Sequence, residues 1–482
     1  MDLFSAIDFS SSGFELYVLF AAFVLVLLSW IWLFIRSLHS HMNTPIIKNS
    51  PNIIIENNEN KEHNFNRPFV SVIVPARNEE DNIGKCLLSI LTQEYPNFEV
   101  VAIDDNSDDR TLKIMKDICS KQGFSKKLKV VSLSAKPDGW TGKTWASQQG
   151  YMNSHGDILL FTDADSLFES KYTIELTVRQ MLSDKLDALT GVPYLPLIDF
   201  WSKVVMPVWN LYSEVFDHGI ADVNNPQSKV AFVMGSFFMI KREVFEAIDT
   251  FRSVKDEIQE DRAIGNLLKT GPYRMKMFKV NSLVSALWSR DISSLWHGIR
   301  RSVTPTVTEN KSVIISHQLI LVAMIALPFF LLPYSALLLS SRSSYTLAPS
   351  VESIVPNIII VPSFSHASSI AAQHYMQISI LNHQFALKSF TNSEESYLRS
   401  LLLWLNLSLC LLAITATGIK GVVKYRLVPL YSVLCFIGAL FLVASYIYST
   451  LPILTGVRMK PIKWRGRPHH VSSDYNEKNK TI

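Results

Sequence analysis

Four apolar stretches of this 482-residue chain contain no charged side chain, and each is long enough to form a helix that spans a membrane. They comprise residues 16–35, 312–341, 400–419 and 427–457, with lengths of 20, 30, 20 and 31 residues. A helix needs about 20 mostly apolar residues to cross the hydrocarbon core of a bilayer. All 46 basic and 42 acidic residues lie elsewhere. This distribution predicts a folded soluble part attached to several spans, and it disfavours both a wholly soluble protein and a channel made only of spans.

The charge and cysteine content further narrows the class of protein to which this chain can belong. The formal net charge is only +4 and no block of like charge stands out, so we predict no nucleic-acid partner. Cys86 and Cys119 lie in the soluble part, whereas Cys410 and Cys435 lie inside apolar stretches, so no disulfide framework is expected. This usage favours a reducing, cytosolic environment.

The first apolar stretch predicts the side of the membrane on which the chain continues. Acidic residues precede it and Arg36 follows it, which places the next residues in the cytoplasm. A cleaved signal peptide is the alternative, but no Lys or Arg precedes the stretch and no small-residue cleavage site follows it. We expect a multi-pass protein of the cell membrane with a cytoplasmic soluble domain.

The chain is expected to consist of successive segments with different roles. These are an N-terminal region 1–36 with a transmembrane helix at 16–35, a linker 37–66, an α/β domain 67–290, an interfacial helix 291–311, a span 312–341, a polar insertion 342–399, spans 400–419 and 427–457, and a basic tail 458–482. Residues 353–387 carry no formal charge, which leaves a fifth span as an alternative to the polar insertion. With either number of spans, one basic cluster lies on the side that the charge rule disfavours.

Residues 67–290 alternate short β-branched runs with segments of helical spacing. This alternation predicts an α/β domain with a largely parallel sheet. Ligands of such sheets bind beyond the carboxyl ends of the strands. Asp104 and Asp105 end one predicted strand, and Asp163 and Asp165 end another.

Two of the predicted strands end in polar sequences. VSVIVPARNEEDN spans residues 70–82, and VVAIDDNSDDRT spans residues 100–111. Their side chains would offer hydrogen-bond acceptors to a nucleobase and a ribose. Each segment alone is also typical of a helix start, where Asp and Glu are favoured. Their combination at this spacing favours the ligand-binding interpretation.

The segment FTDADSLF places two carboxylates, Asp163 and Asp165, two residues apart after an apolar run. Alternate residues of an extended backbone face the same way, so both carboxylates are expected to reach one hard cation. Mg²⁺ and Mn²⁺ both suit such an oxygen site, and the sequence does not choose between them.

Together these segments resemble the nucleotide-binding half of family 2 glycosyltransferases, the inverting enzymes with a GT-A fold. PDGWTGKTWASQQG, residues 137–150, resembles the GWxGKxxA element of membrane-bound members, including those that act on carotenoid and hopanoid-type lipids. The resemblance implies a Rossmann-like GT-A domain flanked by N- and C-terminal transmembrane helices, and a UDP- or GDP-linked sugar donor. The implied donor-binding residues are Pro75, Ala76, Arg77, Asn78, Glu79, Asp104, Asp105, Lys143, Asp163 and Asp165.

The resemblance extends to two further segments. VMGSFFMIKREVFEAIDTF, residues 233–251, corresponds to a stretch that borders the acceptor pocket in the family, which implies that Gly235 and Ser236 line it. The ED pair that starts the following helix supplies the base in the family, which implies catalytic roles for Glu260 and Asp261, with Asp261 as the base. A carboxylate activates a hydroxyl by taking its proton during attack. The alternative is an acidic first turn of an amphipathic helix.

The chain also departs from the family. The segment WHGIRRSV carries Arg300 and Arg301 but lacks the Trp that follows the arginine in processive polysaccharide synthases, which disfavours that activity. The two arginines are expected to contact either the leaving diphosphate or lipid headgroups. KWRGR, residues 463–467, resembles the WxGR tail of membrane-bound members, which is expected near the cytosolic face.

The resulting hypothesis is an inverting hexosyl- or N-acetylhexosaminyl-transferase. It would use Mg²⁺ or Mn²⁺ to move a sugar from a nucleotide-sugar donor to a membrane lipid at the cytosolic face of the bilayer. A polyprenyl-phosphate glycosyltransferase is the nearest alternative, and a processive synthase is a weaker one. An inactive membrane-tethered binding or scaffold protein is disfavoured, because the DxD and ED pairs are both present.

Overall fold

The computed structural model describes residues 43–49, 67–121, 123–216, 220–308, 425–455, 462–464 and 467–469, with short pieces within 18–35, 331–337 and 400–408. The chain divides into two compact units, one of Met1–Ile31 and Ile320–Thr417 and another of Trp32–Leu319 and Gly418–Ile482. The second unit contains nearly all the described residues. The insertion 342–399 and most of the stretches 312–341 and 400–419 lie outside the described residues.

In the described part of the chain, no helix combines the length and the apolar character that crossing a membrane requires.

The second unit alternates strands and helices, as the sequence pattern predicts. The strands are β1 (Val70–Ala76), β2 (Phe98–Asp104), β3 (Leu128–Ser132), β4 (Ile158–Phe161), β5 (Ser166–Phe168), β6 (Ala188–Val192), β7 (Phe238–Lys241), β8 (Met275–Lys279), β9 (Val284–Ala286), β10 (Ile462–Trp464) and β11 (Arg467–His469). The helices are α1 (Ile83–Leu91), α2 (Thr111–Cys119), α3 (Gly142–Met152), α4 (Thr173–Ser183), α5 (Phe200–Phe216), α6 (Ile220–Asn224), α7 (Arg242–Ala247), α8 (Glu260–Thr270), α9 (Ile292–Thr308) and α10 (Leu430–Thr455), with a 3₁₀ helix at Thr250–Val254.

Seven strands form one mixed sheet in the order β3-β2-β1-β4-β7-β6-β8. The four strands β3, β2, β1 and β4 are parallel, whereas β7 runs antiparallel to both β4 and β6. The predicted parallel sheet is therefore confirmed for its first half and is mixed in its second half. Because β1, β2 and β4 run in the same direction, their carboxyl ends and the loops that follow lie along one edge of the sheet.

Both faces of the sheet are covered by helices. Alternate residues of β1 face opposite sides, so Val72 and Val74 pack with α1, α2 and α4 while Ile73 packs with the other cluster, to which α7 and α8 contribute. A sheet buried on both faces needs nearly continuous apolar strands, as in the VSVIV run of β1.

An aromatic cluster supports the sheet directly behind the end of β4. Phe161 contacts Phe238, Phe245 and Phe251, with ring centroids 6.1, 5.3 and 5.1 Å apart. Rings at such separations add about 0.5–1.5 kcal/mol per pair beyond the area that they bury. The loop that follows β4 therefore starts from a rigid position.

Helices α5, α9 and α10 pack together. Trp296 of α9 lies against Phe441 and Tyr448 of α10, with centroids 5.3 and 5.7 Å apart. A Cβ on Gly438 would lie 2.2 Å from the carbonyl oxygen of Val204, so α10 approaches the backbone of α5 closely. Residues 291–311 thus contain a helix, but its Trp296 packs against another helix of the same unit.

Candidate functional site

The segment that follows β1 is held against the segment that follows β2. Arg77 donates to the carbonyl oxygen of Asp105 at 2.7 Å and to that of Asn106, and it forms an ion pair with Asp108 at 3.1 Å. The amide of Glu79 donates to Oγ1 of Thr111 at 2.7 Å. The two predicted donor-binding segments are therefore one structural unit, and Arg77 holds them together.

The backbone turns sharply at both segments. Asn78 and Asn106 have φ values of 53° and 54°, the left-handed region that asparagine tolerates better than most residues. Oδ1 of Asn78 accepts a hydrogen bond from the amide of Asp108 at 2.9 Å. This bond gives Asn78 a structural role beside any contact with a ligand.

Asp104 and Asp105 are almost fully buried at the end of β2, with 2% and 1% of their surface exposed. Oδ2 of Asp104 accepts the amide of Ser107 at 3.4 Å, but its buried Oδ1 has no hydrogen-bond partner within the protein. A buried carboxylate oxygen without a donor costs about 1–3 kcal/mol or more. This oxygen is therefore suited to an N–H or O–H group of a ligand at this edge of the sheet.

Asp163 and Asp165 lie in a turn rather than on an extended strand. The strand β4 ends at Phe161, and the amide of Ser166 donates to the carbonyl oxygen of Asp163 at 3.1 Å, which closes the turn into β5. The expectation that an extended backbone aligns the two carboxylates is therefore wrong. Both side chains remain partly exposed at the edge of the sheet where β1 and β2 also end.

Lys143 lies at the start of α3 and joins two parts of the site. Oγ1 of Thr141 accepts the amide of Thr144 at 3.1 Å and caps this helix. The Lys143 Nζ atom lies 2.9 Å from Oδ1 of Asp163 and 2.9 Å from Oε1 of Glu260. One ammonium thus bridges the DxD turn and the acidic first turn of α8.

The Gly-Ser stretch lies against this bridge. A Cβ on Gly235 would lie 2.6 Å from Nζ of Lys143 and 3.6 Å from Oδ2 of Asp163. The carbonyl oxygen of Ser236 accepts a hydrogen bond from Oγ1 of Thr162 at 2.8 Å. A larger residue at this position would require the Lys143 ammonium to shift from where it lies.

The carboxylates around Lys143 change the acid–base behaviour of the site. Burial and the neighbouring charge of Glu260 raise the pKa of Asp261 to about 6, and Lys143 opposes this rise. Burial opposes the charged form of Lys143, but Asp163, Glu260 and Asp261 outweigh it and raise the pKa of the ammonium. Lys143 therefore stays positive, and Asp261 titrates within the range where a general base works well.

The two arginines of α9 have different surroundings. The positive charge of Arg301 lowers the pKa of Asp261, which places it within electrostatic reach of that carboxylate. The guanidinium of Arg300 lies 4.8 Å above the ring of Tyr448, and burial lowers its pKa. Gln259, just before α8, donates to the carbonyl oxygens of Ser302 at 3.1 Å and Arg301 at 3.4 Å.

One charged contact has no signal in the sequence. Arg290, just before α9, forms an ion pair with the buried Glu79 of the segment that follows β1. Asn82 also donates to this carboxylate at 3.0 Å. The two ion-pair partners are 211 residues apart, and no local pattern links them.

The structure thus brings the sequence-predicted residues into two adjoining groups. Pro75, Ala76, Arg77, Asn78, Glu79, Asp104 and Asp105 form one group around the ends of β1 and β2. Lys143, Asp163, Gly235, Glu260 and Asp261 form the other, with Asp165 and Ser236 next to it in the chain. Arg301 lies within reach of the second group, whereas Arg300 faces α10. The roles of these residues stay predictions.

The second group fits a divalent cation that a ligand helps to bind. Among the described residues, no three His, Cys, Asp or Glu side chains form a cluster that could hold a metal ion. Mg²⁺ is commonly bound by one or two carboxylates, the remaining ligands being water and substrate phosphates. The Lys143 ammonium on Asp163 already acts as a stand-in cation, so this carboxylate is placed to hold a positive charge.

The charges of the second group support the same conclusion. Three carboxylates, those of Asp163, Glu260 and Asp261, act on the positive charge of Lys143, and Asp261 also feels the charge of Arg301. A diphosphate would add further negative charge to this acidic edge. A divalent cation would offset that repulsion, because an uncompensated like charge in a partly buried site is costly.

Residues 71–249 match the family model described as "Glycosyl transferase family 2". The matched range begins in β1 and ends after α7, so it includes both groups except for the start of α8 and Arg301.

Curated relatives match a part of the chain of similar length. The chain is 28% identical over 183 residues to "Probable glycosyltransferase YdaM" of Bacillus subtilis, a match that covers 38% of this chain and 42% of that protein. It is also 28% identical over 208 residues to "4,4'-diaponeurosporenoate glycosyltransferase" of Staphylococcus aureus, covering 43% of this chain and 52% of that protein. The chain therefore spans about half the length of these relatives.

Among solved structures, the chain resembles "Mannosyltransferase PcManGT from Pyrobaculum calidifontis in complex with GDP-Man and Mn2+" with a TM-score of 0.40 and 16% identity, over 81% of this chain and 99% of that one.

Proposed function

We propose that this chain, whose residues 71–249 match the model of glycosyltransferase family 2, transfers one sugar, with inversion, from a nucleotide-sugar donor to a lipid acceptor. One observation carries the proposal: the Lys143 ammonium lies 2.9 Å from Asp163 and 2.9 Å from Glu260. This contact joins a carboxylate suited to the donor's metal to the acidic turn that holds the base. In this proposal the donor's diphosphate and the acceptor's hydroxyl would meet beside Lys143 at the edge of the sheet.

The nucleotide would lie over the ends of β1 and β2. The buried Asp104 oxygen without a partner is an acceptor for an N–H group of a base or a hydroxyl of a ribose. Arg77 and Glu79 shape the surrounding segments through their contacts with Asp105, Asp108 and Arg290. The diphosphate would then extend toward Lys143, which offers a point charge to its oxygens.

The transfer itself requires one proton transfer and one displacement. Asp261 would take the proton of the acceptor hydroxyl as its oxygen attacks the anomeric carbon in line. The new carbon–oxygen bond forms as the bond to the diphosphate oxygen breaks, and the nucleoside diphosphate leaves with the bonding electrons. A single displacement of this kind inverts the anomeric centre.

Asp163 and Asp165 would hold Mg²⁺ or Mn²⁺, which when bound neutralises charge on the leaving diphosphate. The two carboxylates supply hard oxygen donors at a partly exposed edge, so a nucleotide could provide the remaining ligands. Lys143 and Arg301 would stabilise the same leaving group from the protein side.

The proposed acceptor is a lipid presented at the cytosolic face of the cell membrane. The four uncharged apolar stretches of the sequence support this location, and the S. aureus relative, named a 4,4'-diaponeurosporenoate glycosyltransferase, supports a comparable acceptor. A lipid acceptor remains in its bilayer, so an enzyme held at that surface meets it at a high effective concentration. The transmembrane helices and the cytoplasmic position of the catalytic domain are part of this proposal.

A donor screen tests the proposal. Membranes that contain the full-length protein would be incubated with radiolabelled UDP- and GDP-linked hexoses and N-acetylhexosamines, and the lipid extract would be counted and analysed by mass. We expect label from one donor to enter one lipid, in a reaction that needs Mg²⁺ or Mn²⁺. Absence of label in lipid with every donor, together with label in soluble polysaccharide, would contradict it.

The pH dependence of transfer should report Asp261. Since burial and Glu260 raise its pKa to about 6, the base is ionised above that pH and protonated below it. We expect kcat/KM to fall about tenfold per pH unit below about 6, whereas an ordinary aspartate would delay the fall to about pH 4. A profile that stays flat down to pH 4.5, measured with enzyme shown to remain folded, would contradict this assignment.

A polyprenyl-phosphate acceptor is the second candidate, because the charge of Arg301 acts on the same carboxylate as that of Lys143. A phosphate acceptor is already an anion, so it needs a positive side chain to bind it more than it needs a base to remove a proton. With the proposed hydroxyl acceptor, Asp261→Asn should reduce transfer far more than Arg301→Gln, and Arg300→Gln should act mainly on stability because Arg300 faces Tyr448. The opposite order of Asp261 and Arg301 in a membrane transfer assay would favour the phosphate.

A further inference from the structure

Lys143 has two carboxylate partners on different segments, and neither is adjacent to it in the chain. Its Nζ atom lies 2.9 Å from Asp163 in the turn after β4 and 2.9 Å from Glu260 at the start of α8. Its side chain is about one quarter exposed, at 23%, and that of Glu260 is less exposed, at 12%. The contact is therefore partly shielded from water. A charge interaction is stronger in such a place than at an open surface.

The structure also holds this ammonium in place from a third side. A Cβ on Gly235 would lie 2.6 Å from Nζ, so the lack of a side chain at Gly235 leaves room for the ammonium in this position. Gly235, Asp163 and Glu260 together form a binding site for one positive charge. A divalent cation bound by Asp163 would have to occupy part of this site, where the ammonium now contacts Asp163.

Two positive charges cannot occupy the same carboxylate oxygens without repelling each other. The Lys143 ammonium therefore opposes the binding of a divalent cation at Asp163 for as long as it remains there. A nucleoside diphosphate changes this balance, because its oxygens offer the ammonium a new partner of opposite charge.

We infer that Lys143 is a built-in counterion that makes the binding of the divalent cation and of the nucleoside diphosphate cooperative. Without nucleotide the ammonium stays on Asp163 and keeps the cation affinity low. With nucleotide it turns to the diphosphate and leaves Asp163 for the cation. This inference rests on the proposed function, and it adds a property of Lys143 beyond contact with the diphosphate.

Cooperativity of this kind is reciprocal, so it can be measured from either ligand. The cation should strengthen nucleotide binding by the same factor by which the nucleotide strengthens cation binding. Removing the ammonium should have opposite effects on the two ligands, which loss of structure would not produce.

The test is the binding of Mn²⁺ to purified full-length protein, measured by electron paramagnetic resonance with and without UDP or GDP. Compared with wild type, Lys143→Met should bind Mn²⁺ alone about tenfold more tightly, because the competing charge is gone. The same variant should bind UDP or GDP in the presence of Mn²⁺ about tenfold more weakly, because a charge-assisted hydrogen bond is lost. The factor by which the nucleotide strengthens Mn²⁺ binding should therefore be smaller in the variant than in wild type.

Three variants complete the test. Lys143→Gln removes the charge but keeps hydrogen-bond donors, so it should behave like Lys143→Met and serves if the methionine does not fold. Lys143→Arg keeps the charge, so its affinity for Mn²⁺ alone should stay as low as in wild type. Lys126→Met removes an exposed charge before the amino end of β3, away from the carboxyl edge, and should change neither affinity.

Unchanged or weaker binding of Mn²⁺ alone in folded Lys143→Met or Lys143→Gln would overturn the inference. If wild type binds neither UDP nor GDP with Mn²⁺, the proposed function fails on its donor side. The comparison of Mn²⁺ alone would still decide whether Lys143 competes with the cation, so the two failures are distinguishable.

Discussion

Asp261→Asn is expected to reduce sugar transfer by about 10²- to 10⁴-fold, the usual contribution of a general base. Asparagine has nearly the same shape as aspartate but cannot accept the proton of the acceptor hydroxyl. The carbonyl oxygen of Asp261 accepts a hydrogen bond from the amide of Val233 at 3.1 Å, and the substitution leaves this backbone contact in place. Initial rates of label transfer to lipid would measure the effect.

Donor binding separates loss of the base from loss of the site. Because Asp163 and Lys143 are unchanged in this variant, affinity for UDP or GDP with Mn²⁺ should stay within about threefold of wild type, a difference of less than about 1 kcal/mol. Asp117→Asn provides a matched control, since Asp117 is exposed on α2 away from the carboxyl edge. Full transfer activity in Asp261→Asn would reject Asp261 as the base and leave Glu260 as the candidate.

Asp163→Asn is expected to weaken Mn²⁺-dependent binding of UDP or GDP by more than about 100-fold, and transfer with it. A metal contributes several kcal/mol of charge stabilisation at such a site, and a neutral amide oxygen lacks the negative charge with which a carboxylate binds it. Lys143 would retain Glu260 as a partner at 2.9 Å, so the acidic turn of α8 should keep its place. Nucleotide binding measured over a range of Mn²⁺ concentrations would show the change.

The companion substitution Asp165→Asn should act in the same direction, because both carboxylates are assigned to the same cation. The thermal midpoint of each variant provides the control for folding. If Asp163→Asn and Asp165→Asn both bind nucleotide as wild type does at all Mn²⁺ concentrations, the DxD turn does not hold the cation.

The first half of the sheet could be predicted because each of its strands is marked by a pattern of neighbouring residues in the sequence. The β-branched runs that form β1, β2 and β4 are followed directly by polar residues, so strand ends and candidate site residues follow from the same pattern. Parallel strands then bring Ala76, Asp104 and Asp163 to one edge. The antiparallel insertion of β7 between β4 and β6 has no such local signature, since it depends on pairing between distant segments.

The geometry of the carboxylates could not be predicted from their spacing. Asp163 and Asp165 are two residues apart, which suits an extended strand, but the backbone turns after Phe161 because β5 pairs with β9 instead of continuing β4. The carboxylates of this turn meet α3 and α8 only in the folded chain. The bridge from Lys143 to both Asp163 and Glu260 is accordingly absent from any sequence pattern.

Arg300 and Arg301 illustrate the same limit on one helix. Consecutive residues of an α-helix point about 100° apart, so two adjacent arginines of α9 meet different neighbours. Arg300 lies over Tyr448 of α10, whereas the charge of Arg301 reaches Asp261. The sequence assigns both the same role, and only the packing of α9 against α10 separates them.

The anomeric configuration of the product tests the central claim, a single in-line displacement at this site, most directly. Lipid labelled by wild-type protein from a ¹³C-labelled donor would be purified, and its anomeric carbon–hydrogen coupling would be measured by nuclear magnetic resonance. We expect a configuration opposite to that of the donor, formed by wild type and Asp117→Asn but not by Asp261→Asn. A product with the configuration of the donor would contradict a single displacement, because retention requires two displacements or a different reaction path.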